Sequence, residues 1–138
     1  MISFKYKLRV RYRDIDYMGI VYYSRYFEYF EAARTEMLRE VGVPYNEFEE
    51  TGYSLPVVEA HCEYHSGAKF DDVLVITCQI FEFPGARIRI DYSIRSEDSE
   101  RIIAEGYTIH AFMKLRGRAV KPPAHFVNAL NKSWKECE

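Results

Sequence analysis

The stretch Ser24–Val41, SRYFEYFEAARTEMLREV, is the strongest helical pattern in the chain and decides its fold class. Apolar side chains recur there at steps of three and four residues, which places them on one face of a helix. These side chains belong to Phe27, Phe30, Ala33, Met37, Leu38 and Val41. Ser24 can cap the first amides, and Gly42 followed by Pro44 is a stop signal. The sequence therefore predicts a helix roughly 27 Å long, enough to span a small domain.

Strand patterns flank this helix on both sides. Upstream, Phe4–Tyr12 alternates apolar and charged side chains with the period of a half-buried strand. Downstream, four similar segments cover about residues 58–65, 74–80, 88–94 and 103–113, and a short helix is predicted over Ala124–Trp134. This order predicts an α+β fold in which a curved antiparallel sheet of about five strands wraps around one long helix. Because such a sheet leaves an edge strand open, we expect a homodimer or homotetramer.

Length and charge limit the classes of function. The 138 residues suit one domain, taken as residues 1–138. With 19 Lys and Arg against 21 Asp and Glu, the net charge is -2, which does not favour binding to nucleic acid. No apolar run reaches the ~20 residues of a membrane span, and the N-terminus lacks the apolar core of a signal peptide. We therefore expect a cytoplasmic protein without a membrane span.

The segment just ahead of the helix carries the most informative chemistry. Asp16 precedes the helix N-terminus by a few residues, and Gly19 lies between them. Unpaired amides at a helix N-terminus can polarise a carbonyl oxygen, and a nearby carboxylate can attack that carbonyl or activate a water molecule. From the residues alone, a solvated turn whose charges only favour the helix remains the alternative interpretation.

A longer motif is similar to that of a known enzyme family. Four stretches of the chain together resemble the 4-hydroxybenzoyl-CoA thioesterase family. They are Asp16-x-x-Gly19-Ile20-Val21-Tyr22-Tyr23-x-x-Tyr26, Phe30-Glu31-Ala32-Ala33-Arg34-Thr35-Glu36, Cys62-Glu63-Tyr64 and Phe70-Asp71-Asp72-Val73. The resemblance is closest to the YbgC-like acyl-CoA thioesterases and covers roughly Tyr6–Lys121. It implies a hotdog fold and the hydrolysis of an acyl-CoA thioester to a free acid and coenzyme A.

The resemblance also implies roles for individual residues. Asp16 matches the catalytic carboxylate, which acts as nucleophile or general base, and the backbone amide of Tyr23 matches the donor to the thioester carbonyl. Gly19 matches the glycine that shapes the loop. Val21, Tyr22 and Tyr26 are assigned to substrate binding, with a partner chain helping to build each site. The family more often has Thr or Cys at the position of Ile15, and His or Phe at the position of Tyr23. Both positions line the acyl site, so the resemblance does not predict which acyl group is bound.

Two further groups of residues are candidates for binding. Arg87 lies with Arg89 on one strand face, and Arg118 belongs to a later cluster with Lys114, Arg116 and Lys121. Arg87 and Arg118 can receive the phosphates of coenzyme A, which is part of the substrate and not a cofactor, but an ordinary solvated sheet face is the alternative interpretation. His61, Glu63 and His65 fall on one strand face at a spacing that could hold a metal, but a polar strand face is the favoured interpretation. The hydrolysis needs no metal, so no metal or cofactor is predicted.

Cysteine usage and rival functions complete the expectations. Cys62, Cys78 and Cys137 are widely spaced and form no C-x-x-C pair, so Cys62 and Cys78 are expected to be small buried strand residues. One rival is a hotdog dehydratase acting on carrier-protein thioesters, a chemistry that needs a His near the helix start, where this chain has Tyr23. The other rival is a non-catalytic acyl-CoA-binding module.

Overall fold

The computed structural model describes residues 1–114 and 117–135. Its helices are α1 (Arg25–Glu40), α2 (Tyr45–Glu50) and α3 (Ala124–Ser133), and a short 3-10 turn covers Tyr12–Asp14. Its strands are β1 (Ile2–Arg9), β2 (Tyr53–Ser54), β3 (Val57–Tyr64), β4 (Val73–Ile80), β5 (Arg87–Ser96), β6 (Ile102–Ala111), β7 (Met113–Lys114) and β8 (Arg118–Ala119). Arg116 and Cys137 lie outside the described residues.

The five long strands form one antiparallel sheet in the order β1-β4-β5-β6-β3. The expected antiparallel sheet of about five strands is therefore confirmed. Strands β4 and β5 alternate buried and more exposed residues along their length, as a sheet with one covered face requires. The order leaves β1 and β3 as the two edges of this sheet.

Helix α1 covers the inner face of the sheet. The ring of Phe30 stacks on that of Tyr92 in β5, with centroids 4.2 Å apart and planes 9° apart. Gly106 in β6 makes room for this packing, because a Cβ there would lie 2.2 Å from the carbonyl oxygen of His61 and 2.9 Å from the Phe30 ring. The aromatic contact in the core thus depends on a strand residue without a side chain.

Both ends of α1 lie close to their predicted positions. At the C-terminus, Gly42 has a φ of +93°, and the N–H of Val43 donates to the carbonyl oxygen of Leu38 at 2.9 Å. This bond satisfies a terminal carbonyl in the manner of a glycine C-cap. At the N-terminus, Ser24 occupies the capping position, but its side chain makes no capping hydrogen bond.

The structure differs from the expected local structure at several places. The first strand ends at Arg9 and not at Tyr12, because the chain turns into the 3-10 segment there. The segment expected as one strand to residue 113 is divided, since β6 ends at Ala111. Helix α2 and the small sheet β2-β7-β8 were not anticipated. Cys78 is buried as expected, whereas Cys62 is only half-buried because its strand is an edge.

None of the helices in the described residues has the length and apolar character needed to cross a membrane.

Candidate active site

The segment that enters α1 folds as a small hairpin. Ile15 pairs with Val21 in an antiparallel bridge, and the N–H of Asp16 donates to the carbonyl oxygen of Ile20 at 2.9 Å. The tip closes at Gly19, which has a φ of +82° and donates its N–H to the carbonyl oxygen of Asp16 at 3.0 Å. The hairpin therefore holds Asp16 beside the residues that lead into the helix.

A second set of bonds fixes the hairpin to the sheet. The N–H of Val21 donates to the carbonyl oxygen of Ala68 at 2.9 Å, and Ile20 pairs with Lys69. Both partners lie a few residues before β4, so the hairpin occupies the end of the sheet where β4 begins. The hairpin is consequently held between α1, which follows it in the chain, and the loop that leads into β4.

The side chain of Asp16 is half-buried, and its two carboxylate oxygens differ in their hydrogen bonds. One oxygen, Oδ1, accepts the N–H of Met18 at 2.8 Å, which orients the side chain within the turn. Within residues 1–114 and 117–135, no hydrogen-bond donor is paired with the other oxygen. An oriented carboxylate with one open oxygen is suited to accept a proton or to attack an electrophilic carbon.

The chain just ahead of α1 leaves a backbone amide open, although the N–H of Arg25, the first helical residue, donates to the carbonyl oxygen of Tyr22 at 2.9 Å. Ser24 has helical backbone angles, φ -72° and ψ -20°, and no side-chain cap, so the expected capping bond is absent. In the part of the chain that the structure describes, no acceptor is paired with the N–H of Tyr23. Unpaired amides and the helix dipole together favour an oxygen that carries negative charge at this position.

Aromatic side chains crowd around this helix start. Tyr22 and Tyr23 lie with ring centroids 4.5 Å apart, and the Tyr64 hydroxyl donates to the carbonyl oxygen of Tyr23 at 3.1 Å. The hydrogen bond with Tyr23 raises the pKa of Tyr22, and the nearby negative charge of Asp16 adds to that increase. Burial raises the pKa of Tyr64 to about 12, so this phenol remains a neutral donor.

The neighbouring carboxylate, Asp14, has a different environment. It is 6% exposed, and its Oδ2 accepts the Tyr29 hydroxyl at 2.9 Å and the N–H of Arg11 at 3.2 Å. The Nε atoms of Arg13 and Arg25 lie 3.9 Å from its Oδ1. Burial and the bond to Asp14 raise the pKa of the Tyr29 phenol. These contacts tie Asp14 to α1 and to the backbone of the loop, so its carboxylate stabilises the loop.

The other predicted substrate-binding residues lie in two places. Tyr22 is exposed beside Asp16, whereas Val21 and Tyr26 are each 3% exposed, so their direct contact with a substrate stays a prediction. Burial raises the pKa of Tyr26 to about 12. Arg87 begins β5, at the end of the sheet away from the hairpin, and Arg118 is in β8. Because β5 has 10 residues, roughly 30 Å of strand separates Arg87 from the hairpin end.

Pattern analysis missed Tyr64 as a neighbour of this site. Its ring lies 6.4 Å from that of Tyr23 and 5.4 Å from that of Tyr26, although 38 or more residues separate them in sequence. The only signal for Tyr64 in the sequence was the run Cys62-Glu63-Tyr64, which resembles the family. That run does not show where Tyr64 lies relative to the helix start. A cleft of about 690 Å³ lies on the other side of the helix start, and it is lined by Asp14 and Tyr29 but not by Asp16.

Comparison with known proteins shows which family the chain resembles. The thioesterase-like superfamily matches residues 10–130, which include the hairpin, α1 and the whole sheet except β1. The chain belongs to the thioesterase-like superfamily. The expected family and hotdog fold are thereby confirmed.

Individual relatives agree with this membership. The acyl-CoA thioesterase YbgC of Haemophilus influenzae is 37% identical over 87 residues, which are 62% of this chain and 64% of that protein. A hypothetical protein of Thermus thermophilus superposes with a TM-score of 0.89 at 30% identity, over 98% of this chain and 100% of the other. The gentisyl-coenzyme A thioesterase BH1999 superposes with a TM-score of 0.80 at 26% identity, over 87% and 96% of the two chains.

Proposed function

We propose that this chain hydrolyses acyl-CoA thioesters at the hairpin, with Asp16 as the reactive carboxylate and the Tyr23 amide as the donor to the thioester carbonyl. The observation that carries the proposal is the arrangement of these two groups. Asp16 offers an oriented carboxylate with one open oxygen, and the uncapped start of α1 offers an open N–H a few residues away.

The chemistry follows from these two groups. A thioester carbonyl that accepts the Tyr23 N–H becomes more electrophilic, and the negative charge that develops on its oxygen is stabilised by the helix N-terminus. Asp16 then acts in one of two ways: it attacks the carbonyl carbon and expels the thiolate, leaving an acyl–Asp16 anhydride that a water molecule hydrolyses, or it removes a proton from a water molecule that attacks the carbonyl carbon directly. On either route one water molecule is consumed, and the leaving thiolate takes up a proton. The carbon–sulfur bond breaks, and the products are a carboxylic acid and the thiol of coenzyme A. Coenzyme A is therefore part of the substrate.

The substrate class rests on two supports. The named relatives YbgC and BH1999 act on acyl-coenzyme A thioesters. In this chain, large side chains are exposed around Asp16, with Tyr17 97%, Met18 63%, Tyr23 59% and Tyr22 44% exposed. Side chains of this kind can cover an acyl group, and they can also pack against a partner chain.

A partner chain is part of the proposal because, within one chain, the reacting groups and the arginines predicted to bind coenzyme A lie at opposite ends of the sheet. Asp16 lies at the Tyr64 end of β3, whereas Arg87 lies at the Val57 end of the sheet. If two β3 edges pair antiparallel about a two-fold axis, the Val57 end of one chain meets the Tyr64 end of the other. Arg87 and Arg118 could then bind the phosphates of a coenzyme A held by the partner.

The exposed side chains of β3 support this pairing. Val57, Val58 and Tyr64 are each about 45% exposed on an edge strand, an arrangement that favours association. On the opposite edge, Lys5, Lys7 and Arg9 of β1 are exposed, and charged residues discourage pairing. We therefore infer that a homodimer forms through β3. The cytoplasmic location expected from the sequence also stays a prediction.

Asp16→Asn tests the proposed chemistry. The variant keeps the size of the side chain but removes the base or nucleophile, so kcat/KM for acyl-CoA should fall by about 100-fold or more. The assay follows the release of thiol from a panel of acyl-CoA substrates. Asp98→Asn is the matched control, because Asp98 is an exposed carboxylate in the turn between β5 and β6. Retention of most activity by Asp16→Asn, with the control unchanged, would disprove the role of Asp16.

The same panel separates the two rival functions. An acyl-CoA-binding module would bind the substrate, as calorimetry can measure, without releasing thiol. A dehydratase would convert a hydroxyacyl thioester into an unsaturated one with the thioester intact. Thiol release by the unmodified chain that requires Asp16 excludes both.

A further inference from the structure

The outer face of the sheet carries a cluster of metal-ligating side chains that the hydrolysis does not use. Glu63 and His65 are on the β3 side of this face, and Glu105 lies opposite Glu63 in β6. Their ligand atoms all lie within 4.8 Å of one another. We propose that Glu63, His65 and Glu105 bind a divalent transition-metal ion of the zinc class. The sequence marked two of these residues but could not supply the third, because Glu105 comes from another strand.

The distances suit one metal ion. The Nε2 atom of His65 lies 3.7 Å from Oε2 of Glu105 and 4.0 Å from Oε2 of Glu63. Two ligands of a tetrahedral zinc ion, each about 2.0 Å from the metal, lie roughly 3.3 Å apart. Small rotations of the exposed Glu side chains close this difference. Imidazole and carboxylate are both zinc ligands, and three protein ligands leave a further position for water.

The charges around the cluster favour a cation. Glu63 and Glu105 are direct cross-strand partners, and like charges in this relation repel. Within the described residues, neither carboxylate forms an ion pair with Lys or Arg. Arg89, on the same face of β5, instead pairs with Asp91 at 3.1 Å and lies 3.9 Å above the Tyr107 ring. A bound metal ion would supply the missing positive charge.

His61 supports the same arrangement. Its Nε2 atom lies 3.3 Å from Oε1 of Glu63, which leaves Oε2 of Glu63 directed to His65. The His61 ring stacks on Tyr107 with centroids 5.3 Å apart, so it is itself held in place. Such a contact positions a metal-binding carboxylate. Tyr64 lies between Glu63 and His65 and reaches the other face of the strand, so the metal would be structural and separate from the reacting groups.

Zinc titration of the full chain without an affinity tag tests the proposal. Calorimetry should show saturable binding of about one Zn²⁺ per chain, since the three ligands converge on one point. His65→Ala and Glu105→Gln should each weaken binding by about tenfold or more. Cys62→Ser and His125→Ala are matched controls and should bind zinc like the unmodified chain. The first removes a thiol of the same strand, and the second removes an exposed histidine of α3.

A second measurement guards against variants that do not fold. Zinc should raise the melting temperature of the unmodified chain, because a ligand that binds only the folded state stabilises it. It should not raise that of folded Glu63→Gln, His65→Ala or Glu105→Gln, whose far-UV circular dichroism identifies correctly folded protein. The absence of saturable binding by the unmodified chain would overturn the proposal. Zinc binding that survives His65→Ala and Glu105→Gln together, or that is lost in Cys62→Ser, would also overturn it.

Discussion

Asp14 and Asp16 are two carboxylates of one turn with opposite surroundings. Asp14 is 6% exposed and accepts hydrogen bonds from Tyr29 and from the backbone of Arg11, while Arg13 and Arg25 lie nearby. Asp16 is half-buried and has one bonded oxygen and one open oxygen. Residue type alone cannot distinguish the two. The difference arises because Asp14 faces α1, whereas Asp16 is directed into the hairpin beside the helix start.

This difference predicts that Asp14 contributes mainly to stability, whereas Asp16 contributes little to it. Asp14→Ala should lower the free energy of unfolding by about 3 kcal/mol, because it removes bonds to a charged, buried acceptor and leaves the Tyr29 hydroxyl unsatisfied. Asp16→Ala should change it by less than about 1 kcal/mol, since only the bond to Met18 is lost. Urea unfolding of both variants at equal protein concentration measures the two values. Equal losses would mean that the two carboxylates do not have separate roles.

The proximity of Asp16 to the helix start was predictable because it is local in sequence. Asp16, Gly19 and the helix start lie within about ten residues, so their order alone brings them together. Tyr64 and Glu105 were not predictable in this way, since the pairing of β3 with β6 decides their positions. Strand alternation identifies a face of a sheet, but it contains no information about the opposite residue on a neighbouring strand.

Two local expectations failed for reasons that the same turn explains. The predicted first strand extended to Tyr12, but Asp14 binds the N–H of Arg11 and draws the chain into a 3-10 turn. Ser24 was expected to cap α1, but its backbone is already helical, so the side chain makes no capping bond. In both cases the backbone conformation of the turn overrides the preference expected from the residue pattern.

Tyr29→Phe tests the hydrogen bond that distinguishes Asp14. The variant keeps the ring in the core and removes only the hydroxyl, so it should lower the free energy of unfolding by about 1.5 kcal/mol. Introduced together with Asp14→Ala, it should cost much less than the sum of the two single changes, because both remove the same bond. Urea unfolding of the four proteins gives this coupling. Additive losses would show that the 2.9 Å contact contributes nothing to stability.

Gly19→Ala should have a small effect on stability, and it sharpens the role of Asp16. No atom lies within 4 Å of the position that a Cβ would take, so the cost comes from the φ of +82° and not from a clash. A left-handed conformation costs a residue with a side chain about 1 kcal/mol. The hairpin would relax to reduce this strain, and Asp16, which accepts the Gly19 N–H through its own carbonyl, would move with it. We therefore expect Gly19→Ala to lower kcat by a larger factor than it changes KM, and steady-state kinetics measures both constants. The control is Gly85→Ala, which should leave both constants unchanged because Gly85 is exposed and has no positive φ. An unaltered kcat in a folded Gly19→Ala protein would show that hydrolysis does not depend on the conformation of this turn.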